Sequence, residues 1–304
     1  MKLLLTGVGG QLGRETAALA AARGLGLVAL DRAGLDIADP AAVAGALAQH
    51  RPDIVINAAA YTAVDRAESE PEAAHAINAV GPELLALACA RHGAGLVHVS
   101  TDYVFDGTKV GAYVESDPIA PLGVYGRTKA EGEARLRAAL DRHVILRTSW
   151  VYGIYGHNFL KTMLRLAGER DRLTVVADQH GCPTATPDLA RALLAAAEAL
   201  AAGRGVAGTY HFAGTGVTNW HGFAEAIIEA AAPLTGRRLE VAAIATADYP
   251  TPARRPANSE LSSDAFADTF GLRAAPWRER VREVVHALLG RSAAPLSQPE
   301  EGTS

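Results

Sequence analysis

Short apolar runs alternate with longer stretches of helical periodicity through the first half of the chain. Residues 2–6 form an apolar run that ends in Gly7-Val8-Gly9-Gly10-Gln11-Leu12-Gly13, and Ala/Leu-rich helical sequence follows to Arg23. Residues 25–30 read as a second strand closed by Asp31. A helix over 41–50 is started by Asp39-Pro40, and 53–57 is a third strand. The spacing then predicts helix within 68–92, strand over 95–100, helix over 121–142 and strand over 144–147. Strands separated by helices imply βαβ units, whose crossovers are right-handed, so the sheet is parallel and doubly wound.

Beyond Trp150 the alternation loosens. Residues 160–168, 188–202 and 220–232 read as helices, 209–213 and 239–244 as strands, and 276–289 as a last helix. The stretch 246–258 is a loop holding three prolines and the pair Arg254-Arg255. The fold class expected is α/β: a Rossmann-type doubly wound parallel sheet with a smaller C-terminal α/β substrate-binding domain. Residues 1–150 make the dinucleotide-binding part, to which later segments return, and 151–290 make most of the substrate part. Residues 291–304 are a polar, Pro-containing tail expected to be disordered.

Composition narrows the function. The net charge of −4 argues against a non-specific nucleic-acid binder. Cys89 and Cys182 are the only cysteines, which excludes a disulfide framework and a cysteine-built zinc site. The first apolar run is too short for a signal peptide, and charges interrupt the later Ala/Leu stretches. A soluble, cytoplasmic enzyme with no membrane partner is expected.

Gly7, Gly10 and Gly13 make G-x-x-G-x-x-G between a strand and a helix. Glycines there let backbone amides approach a pyrophosphate at the positive end of the helix. Asp31, closing the next strand, suits the adenosine ribose hydroxyls, while Arg32 beside it suits a 2′-phosphate. NADH and NADPH therefore both stay open. Asp36 and Ile37 are placed to flank the adenine. The small residues Ala58, Ala59 and Ala60 at the end of the third strand permit close approach of the cofactor, or serve packing.

Tyr125 and Lys129 lie four apart, one turn along one helix face. Reduction of a ketone needs hydride on carbon and a proton on oxygen. A neighbouring ammonium lowers the pKa of a phenol from about 10 and eases that proton's transfer. Ser100 and Thr101 end the fourth strand, where ligands bind in doubly wound sheets. Either hydroxyl can align the tyrosine, with Thr101 the first choice. Tyr103 lacks a lysine four residues on and reads as packing or substrate contact.

These features resemble the extended short-chain dehydrogenase/reductase superfamily. Finer motifs narrow the likeness: "GGQLG" at 9–13, "NAAAYTAVDRAESEP" at 57–71, "STDYVFDG" at 100–107, "PLGVYGRTKAEGE" at 121–133, "RTSWVYG" at 147–153, "DQHGCPT" at 178–184 and "YPTPARRPANSEL" at 249–261. Together they are similar to the dTDP-4-dehydrorhamnose reductase family, from residue 1 to about residue 290. The resemblance implies reduction of the C4 ketone of a dTDP-sugar, dTDP-4-dehydro-L-rhamnose, in dTDP-rhamnose biosynthesis. It implies Tyr125 as proton donor, Lys129 on the nicotinamide ribose and Thr101 as aligner. It places Gly10, Gln11, Leu12, Asp31, Asp36, Ile37, Ala60, Tyr61 and Thr62 around the cofactor. Thr101, Asp102 and Trp150 would meet the sugar, Arg254 and Arg255 the diphosphate, and Asn158 and Lys161 are weaker substrate candidates. Some members hold Mg²⁺ at a homodimer interface, and Glu15 matches one such position, with the remaining ligands unassigned. Tyr61 stands where some relatives carry His. Competing readings are another nucleotide-sugar 4-ketoreductase, a 4-epimerase, and a non-catalytic regulatory subunit of the methionine adenosyltransferase type. The intact Thr101, Tyr125 and Lys129 argue against the last.

Overall fold

The computed structural model describes residues 1–290, and the tail expected at 291–304 lies outside the described residues. In chain order the elements are β1 (Lys2–Thr6), α1 (Gln11–Ala22), β2 (Gly26–Leu30), α2 (Pro40–His50), β3 (Ile54–Asn57), α3 (Val64–Ala67), α4 (Pro71–His75), a π-helical turn (Ala76–Val80), α5 (Gly81–His92) and β4 (Gly95–Thr101). A 3₁₀ turn (Asp102–Val104), α6 (Val124–Ala139), β5 (His143–Thr148), β6 (Val151–Tyr152), α7 (Phe159–Glu169), β7 (Arg172–Val176), β8 (His180–Gly181) and β9 (Thr184–Ala185) follow. The rest is α8 (Thr186–Ala201), β10 (Gly208–His211), β11 (Thr218–Asn219), α9 (Trp220–Thr235), β12 (Glu240–Ile244), β13 (Asn258–Ser259), α10 (Asp264–Phe270) and α11 (Trp277–Leu289).

Six strands form one parallel sheet in the order β10-β5-β4-β3-β1-β2. The period of two along each strand sends alternate side chains to opposite faces. Leu3, Leu5, Ile54, Ile56, Val97, Val144 and Leu146 meet the apolar stripe of α8 on one face. Leu4, Val55, Leu96 and Ile145 meet Leu47, Leu85 and Leu136 from α2, α5 and α6 on the other. Burial on both faces explains why these strands are apolar throughout rather than alternating. The expected strand near 209–213 is β10, which joins this sheet beside β5. A separate core of Tyr152, Leu160, Phe223, Ile227, Trp277 and Val281 unites α7, α9 and α11.

Two expected helices differ in detail. The 68–92 stretch breaks at a π turn. Pro82 has no N–H to give the Asn78 carbonyl one turn earlier, and that carbonyl points to α6, where only glycine fits: a Cβ on Gly132 would lie 2.0 Å from the Asn78 oxygen. By length and composition Pro71–His92 could span a membrane, but half of it is buried within this fold. The helix expected from 121 begins only at Val124, because Gly123 is extended and the Val124 N–H donates to Glu68 Oε1 at 2.8 Å.

The sheet order reverses at β1, whose neighbours β2 and β3 are reached by connections running in opposite directions. The crevice at the carboxyl ends of β1 and β3 is where such sheets bind ligands.

Candidate active site

The Gly-rich turn closes β1 against β3. Gly7 takes φ +76°, and a Cβ there would fall 2.6 Å from the Ala59 nitrogen. A Cβ on Gly13 would fall 2.2 Å from the Gly7 oxygen, so α1 starts as near to the strand as backbone allows. Gly10 donates to the Gly7 carbonyl at 3.0 Å and caps α1 without any side-chain cap. The amides of Gln11, Leu12 and Gly13 therefore have no intrahelical acceptor, and the helix presents its positive end to the crevice. A cradle that admits no Cβ at Gly7 or Gly13 and carries free amides fits a dinucleotide pyrophosphate. Leu12 itself turns into the core. Gln11 donates to the Val151 carbonyl at 3.2 Å, joining this turn to the second half of the chain.

Asp31 is exposed at the end of β2, beside Gly9, and accepts from the Gly34 N–H at 2.9 Å. Asp36 accepts from the Ala38 N–H, with the Arg32 guanidinium 3.7 Å away. Ile37 is 3% exposed and packs in the core rather than facing a ligand directly. Ala60, Tyr61 and Thr62 follow β3. Asn78, buried in the π turn, accepts from the Tyr61 N–H at 2.9 Å and donates to the Tyr61 carbonyl at 3.0 Å. It also donates to Thr128 Oγ1 at 3.3 Å, tying this loop to α6. The Tyr61 hydroxyl donates to Glu70 at 2.5 Å, which holds its pKa up.

The residues expected to do acid-base work stand on α6 and at the end of β4. Gly126 lets α6 press on the Tyr103 carbonyl, since a Cβ there would sit 2.2 Å from that oxygen. Tyr125 packs edge-on against Tyr103 with centroids 5.4 Å apart. Burial pushes the Tyr125 phenol well above its ordinary value, the Thr101 hydroxyl opposes that by hydrogen bonding, and Asp102 and Tyr103 add to it. The two hydroxyls differ in their partners. Ser100 donates to Glu133 Oε1 at 2.6 Å, whereas hydrogen bonding from Thr101 acts on the Tyr125 phenol. Thr101 also donates to Asp102 at 3.0 Å. Asp102 is 3% exposed, one of its oxygens has no partner, and burial lifts its pKa to about 6.

Lys129 is 1% exposed. Its Nζ donates to the Val99 carbonyl at 2.7 Å and lies 3.2 Å from His98 Nε2. Burial brings its pKa down to about 8, with Glu133 opposing. Burial is the largest cause of the Tyr125 shift, and it acts against the lowering expected from a neighbouring ammonium. One turn on, Glu133 is fully buried and grips Arg147 of β5 through two bonds of 2.9 and 2.7 Å. Burial alone would raise its pKa, but Arg147 and Ser100 outweigh that and lower it.

A cavity of about 490 Å³ opens beside Tyr103, lined among others by Arg255, Trp220, Met163, Val175 and Tyr249. Arg255 donates to the Tyr103 hydroxyl at 2.9 Å and to Asp65 at 2.7 Å, while Arg254 is exposed. Trp150 has φ +49° and stacks on Trp220 with ring centroids 3.6 Å apart. A Cβ on Gly181 would meet the indole at 2.6 Å, so glycine is required beneath it. The cavity wall is thus formed by Trp220, which the sequence pattern did not single out, with Trp150 stacked against it. Asn158 caps α7 by accepting from the Lys161 N–H and donates to the Gly153 carbonyl at 2.8 Å. Lys161 Nζ donates to the Ile154 carbonyl, so both shape the loop between β6 and α7.

The Glu15 carboxylate accepts from Thr186 at 2.9 Å, and among the described residues no group of three or more His, Cys, Asp or Glu is arranged to hold a metal. The residues present do not fit a Mg²⁺ site within one chain.

A family model described as the RmlD substrate binding domain matches residues 1–289. A dTDP-4-dehydrorhamnose reductase of Sinorhizobium fredii is 45% identical over 291 residues, covering 95% of this chain and 98% of its own. A solved dTDP-4-dehydrorhamnose reductase from Clostridium acetobutylicum has a TM-score of 0.88 at 38% identity, covering 95% of this chain and 99% of its own. The Bacillus anthracis enzyme, solved in complex with NADP, has a TM-score of 0.87 at 35% identity, covering 93% of this chain and 99% of its own. With likeness running through nearly its whole length, this chain belongs to the dTDP-4-dehydrorhamnose reductase family.

Proposed function

We propose that this protein reduces the C4 ketone of dTDP-4-dehydro-L-rhamnose to dTDP-L-rhamnose, with hydride from NADPH or NADH and the proton from Tyr125. The observation that carries the reading is the position of Tyr125. It stands against Thr101 at the carboxyl end of β4, one helical turn from buried Lys129, on the side where Tyr103 borders the open cavity. The B. anthracis relative is solved with NADP, which supports a nicotinamide cofactor on the cradle of Gly7, Gly10 and Gly13.

When bound, the dinucleotide supplies the hydride. The remaining chemistry belongs to side chains. Burial keeps the Tyr125 hydroxyl protonated, so a proton is ready as negative charge develops on the substrate oxygen. The Thr101 hydroxyl then stabilises the phenolate that Tyr125 becomes. Lys129 holds the nicotinamide ribose, and Asp31 the adenosine ribose. Arg255, aimed by Tyr103 and Asp65, meets the diphosphate with exposed Arg254 beside it. Trp220 and Trp150 form an apolar wall for the deoxysugar or the base. On this reading the large sheet, including β10, carries the cofactor, and the α7, α9 and α11 unit carries the nucleotide sugar.

The test supplies purified protein with dTDP-4-dehydro-L-rhamnose made in situ and follows absorbance loss of NADPH, then of NADH. Oxidation matched by dTDP-L-rhamnose supports the reading. A folded, cofactor-binding protein that leaves this substrate untouched overturns it.

A further inference from the structure

Two acids on one short helix reach two sides of the reaction site. Asp65 lies on α3 and Glu68 at its end, three residues apart and so on one helix face. Ala67 between them is fully buried, which anchors the helix. Glu68 reaches α6. That helix starts after Gly123 with no side-chain cap and no acid in its first turn, so its leading N–H groups need an outside acceptor. Glu68 Oε1 accepts from the Val124 N–H at 2.8 Å, one residue before Tyr125. The approach is close: a Cβ on Gly123 would lie 2.6 Å from that oxygen, so glycine is what admits the carboxylate. One residue after Tyr125, Gly126 admits the Tyr103 carbonyl in the same way. The turn that carries the phenol is thus held by Glu68 before Tyr125 and by Tyr103 after it.

Asp65 reaches the 246–258 loop. It accepts from Arg255 Nη2 at 2.7 Å and from the Ala253 N–H at 3.2 Å. Arg255 donates through its other terminal nitrogen to the Tyr103 hydroxyl at 2.9 Å, and the Tyr103 ring packs edge-on against Tyr125. The contacts close a ring from α3 to Arg255, to Tyr103, to the first turn of α6 and back to α3. We propose that α3 is a strut that sets the proton donor relative to the nucleotide-sugar loop, with Glu68 the positioning residue for Tyr125. This rests on the reduction proposed above. Glu68 acts through an acceptor oxygen. Without it the Val124 N–H loses its partner, a gap opens at Gly123 and the phenol leaves its aim. Misplacing a reacting group by about 1 Å costs up to about 10²-fold in rate. Arg255, Asp65 and the Gly-rich cradle keep their own contacts, so binding of sugar and cofactor should not follow.

The experiment compares Glu68→Ala and Glu68→Gln with the wild type. Glutamine keeps a carbonyl oxygen at the same reach and drops the charge. Glu68→Ala should lower kcat by about 10- to 10²-fold, with KM for the nucleotide sugar and the NADPH Kd within about twofold of wild type. Its solvent deuterium isotope effect on kcat should rise, because proton donation has become slower. Amide hydrogen exchange over residues 124–127 should quicken, since the first turn has lost a tie. Glu68→Gln should bring kcat back to within about threefold of wild type and restore the protection. If Glu68→Ala does not fold, Glu68→Asp, one methylene shorter, carries the test and should lose kcat while KM holds. A folded Glu68→Ala protein with wild-type kcat, or one whose KM rises as kcat falls, overturns the proposal. Equal loss in Glu68→Gln and Glu68→Ala overturns it too, because charge rather than position would then matter. The exchange readout is independent of the reaction: unchanged protection in folded Glu68→Ala refutes the strut whatever the substrate. A wild type that binds NADPH and leaves the ketone untouched refutes instead the reaction assigned above.

Discussion

Gly13→Ala tests whether the start of α1 is the cofactor cradle. The added methyl would lie 2.2 Å from the Gly7 oxygen, 2.7 Å from Val8 Cα and 2.8 Å from the Gly7 carbonyl carbon. All three are backbone atoms, so no side chain can swing aside. Ordinary contact begins at about 3.4 Å, so the turn must retreat by roughly 1 Å, and the Gly7 carbonyl that holds the Gly10 N–H moves with it. Overpacking of this kind costs about 1–3 kcal/mol, which a fold of ordinary stability of about 5–15 kcal/mol survives. The free amides of Gln11, Leu12 and Gly13 leave their aim by the same distance. Each charge-assisted bond to phosphate is worth about 1.5–3 kcal/mol, so losing one or two raises the NADPH Kd by about 10- to 10⁴-fold. The control is Gly24→Ala, at φ +65° with nothing within 4 Å of its added Cβ. It carries backbone strain of about 1 kcal/mol but no clash in the cradle, so its Kd should equal that of the wild type. Kd by fluorescence titration, with circular dichroism to confirm folding, decides the matter. A folded Gly13→Ala protein with a Kd within twofold of wild type would refute this placement of the dinucleotide.

Two further outcomes are expected. Glu133→Gln leaves Arg147, 4% exposed, without its buried counter-charge and should cost about 3–5 kcal/mol, lowering Tm by on the order of 10 °C. Because the folded state holds the Glu133 pKa below its ordinary value, the pair's contribution is present above that value and is lost as pH falls through the lower folded pKa; thermal melts of both proteins from pH 7 to pH 3 should therefore converge. Arg255→Met removes the bonds to Tyr103 and Asp65 and should raise KM for the nucleotide sugar at least tenfold while leaving NADPH affinity unchanged; steady-state kinetics and a cofactor titration read the two separately.

Much of this architecture is legible in the chain because it rests on local rules. Strands buried on both faces read as continuous apolar runs, and Gly7 and Gly13 are demanded by backbone contacts under 3 Å. Tyr125 and Lys129 share a helix face, so their spacing alone brings them together. What the sequence hides is set by distant contacts. Nothing local says that Ser100 turns to Glu133 while Thr101 bonds Asp102, since that depends on α6 packing across β4 and β5. The π turn at Asn78 follows from Pro82, a visible signal, but its use in holding Tyr61 and Thr128 does not. Asn57 and His98 sit in strands as polar residues where both faces are buried, a mismatch that marks a hydrogen-bonded network in the interior. Asn158 and Trp150 show the converse. Motif likeness singles them out as substrate contacts, while the fold also uses one to cap α7 and the other to stack on Trp220.

The most direct measurement is the comparison of wild type with Tyr125→Phe in the reduction of dTDP-4-dehydro-L-rhamnose. Removing one hydroxyl from a part-buried ring should leave the fold and the NADPH Kd unchanged while kcat falls by about 10²–10⁴. A folded variant that retains more than half of the wild-type kcat would contradict the assignment of Tyr125 as the proton donor, and with it the account of this site.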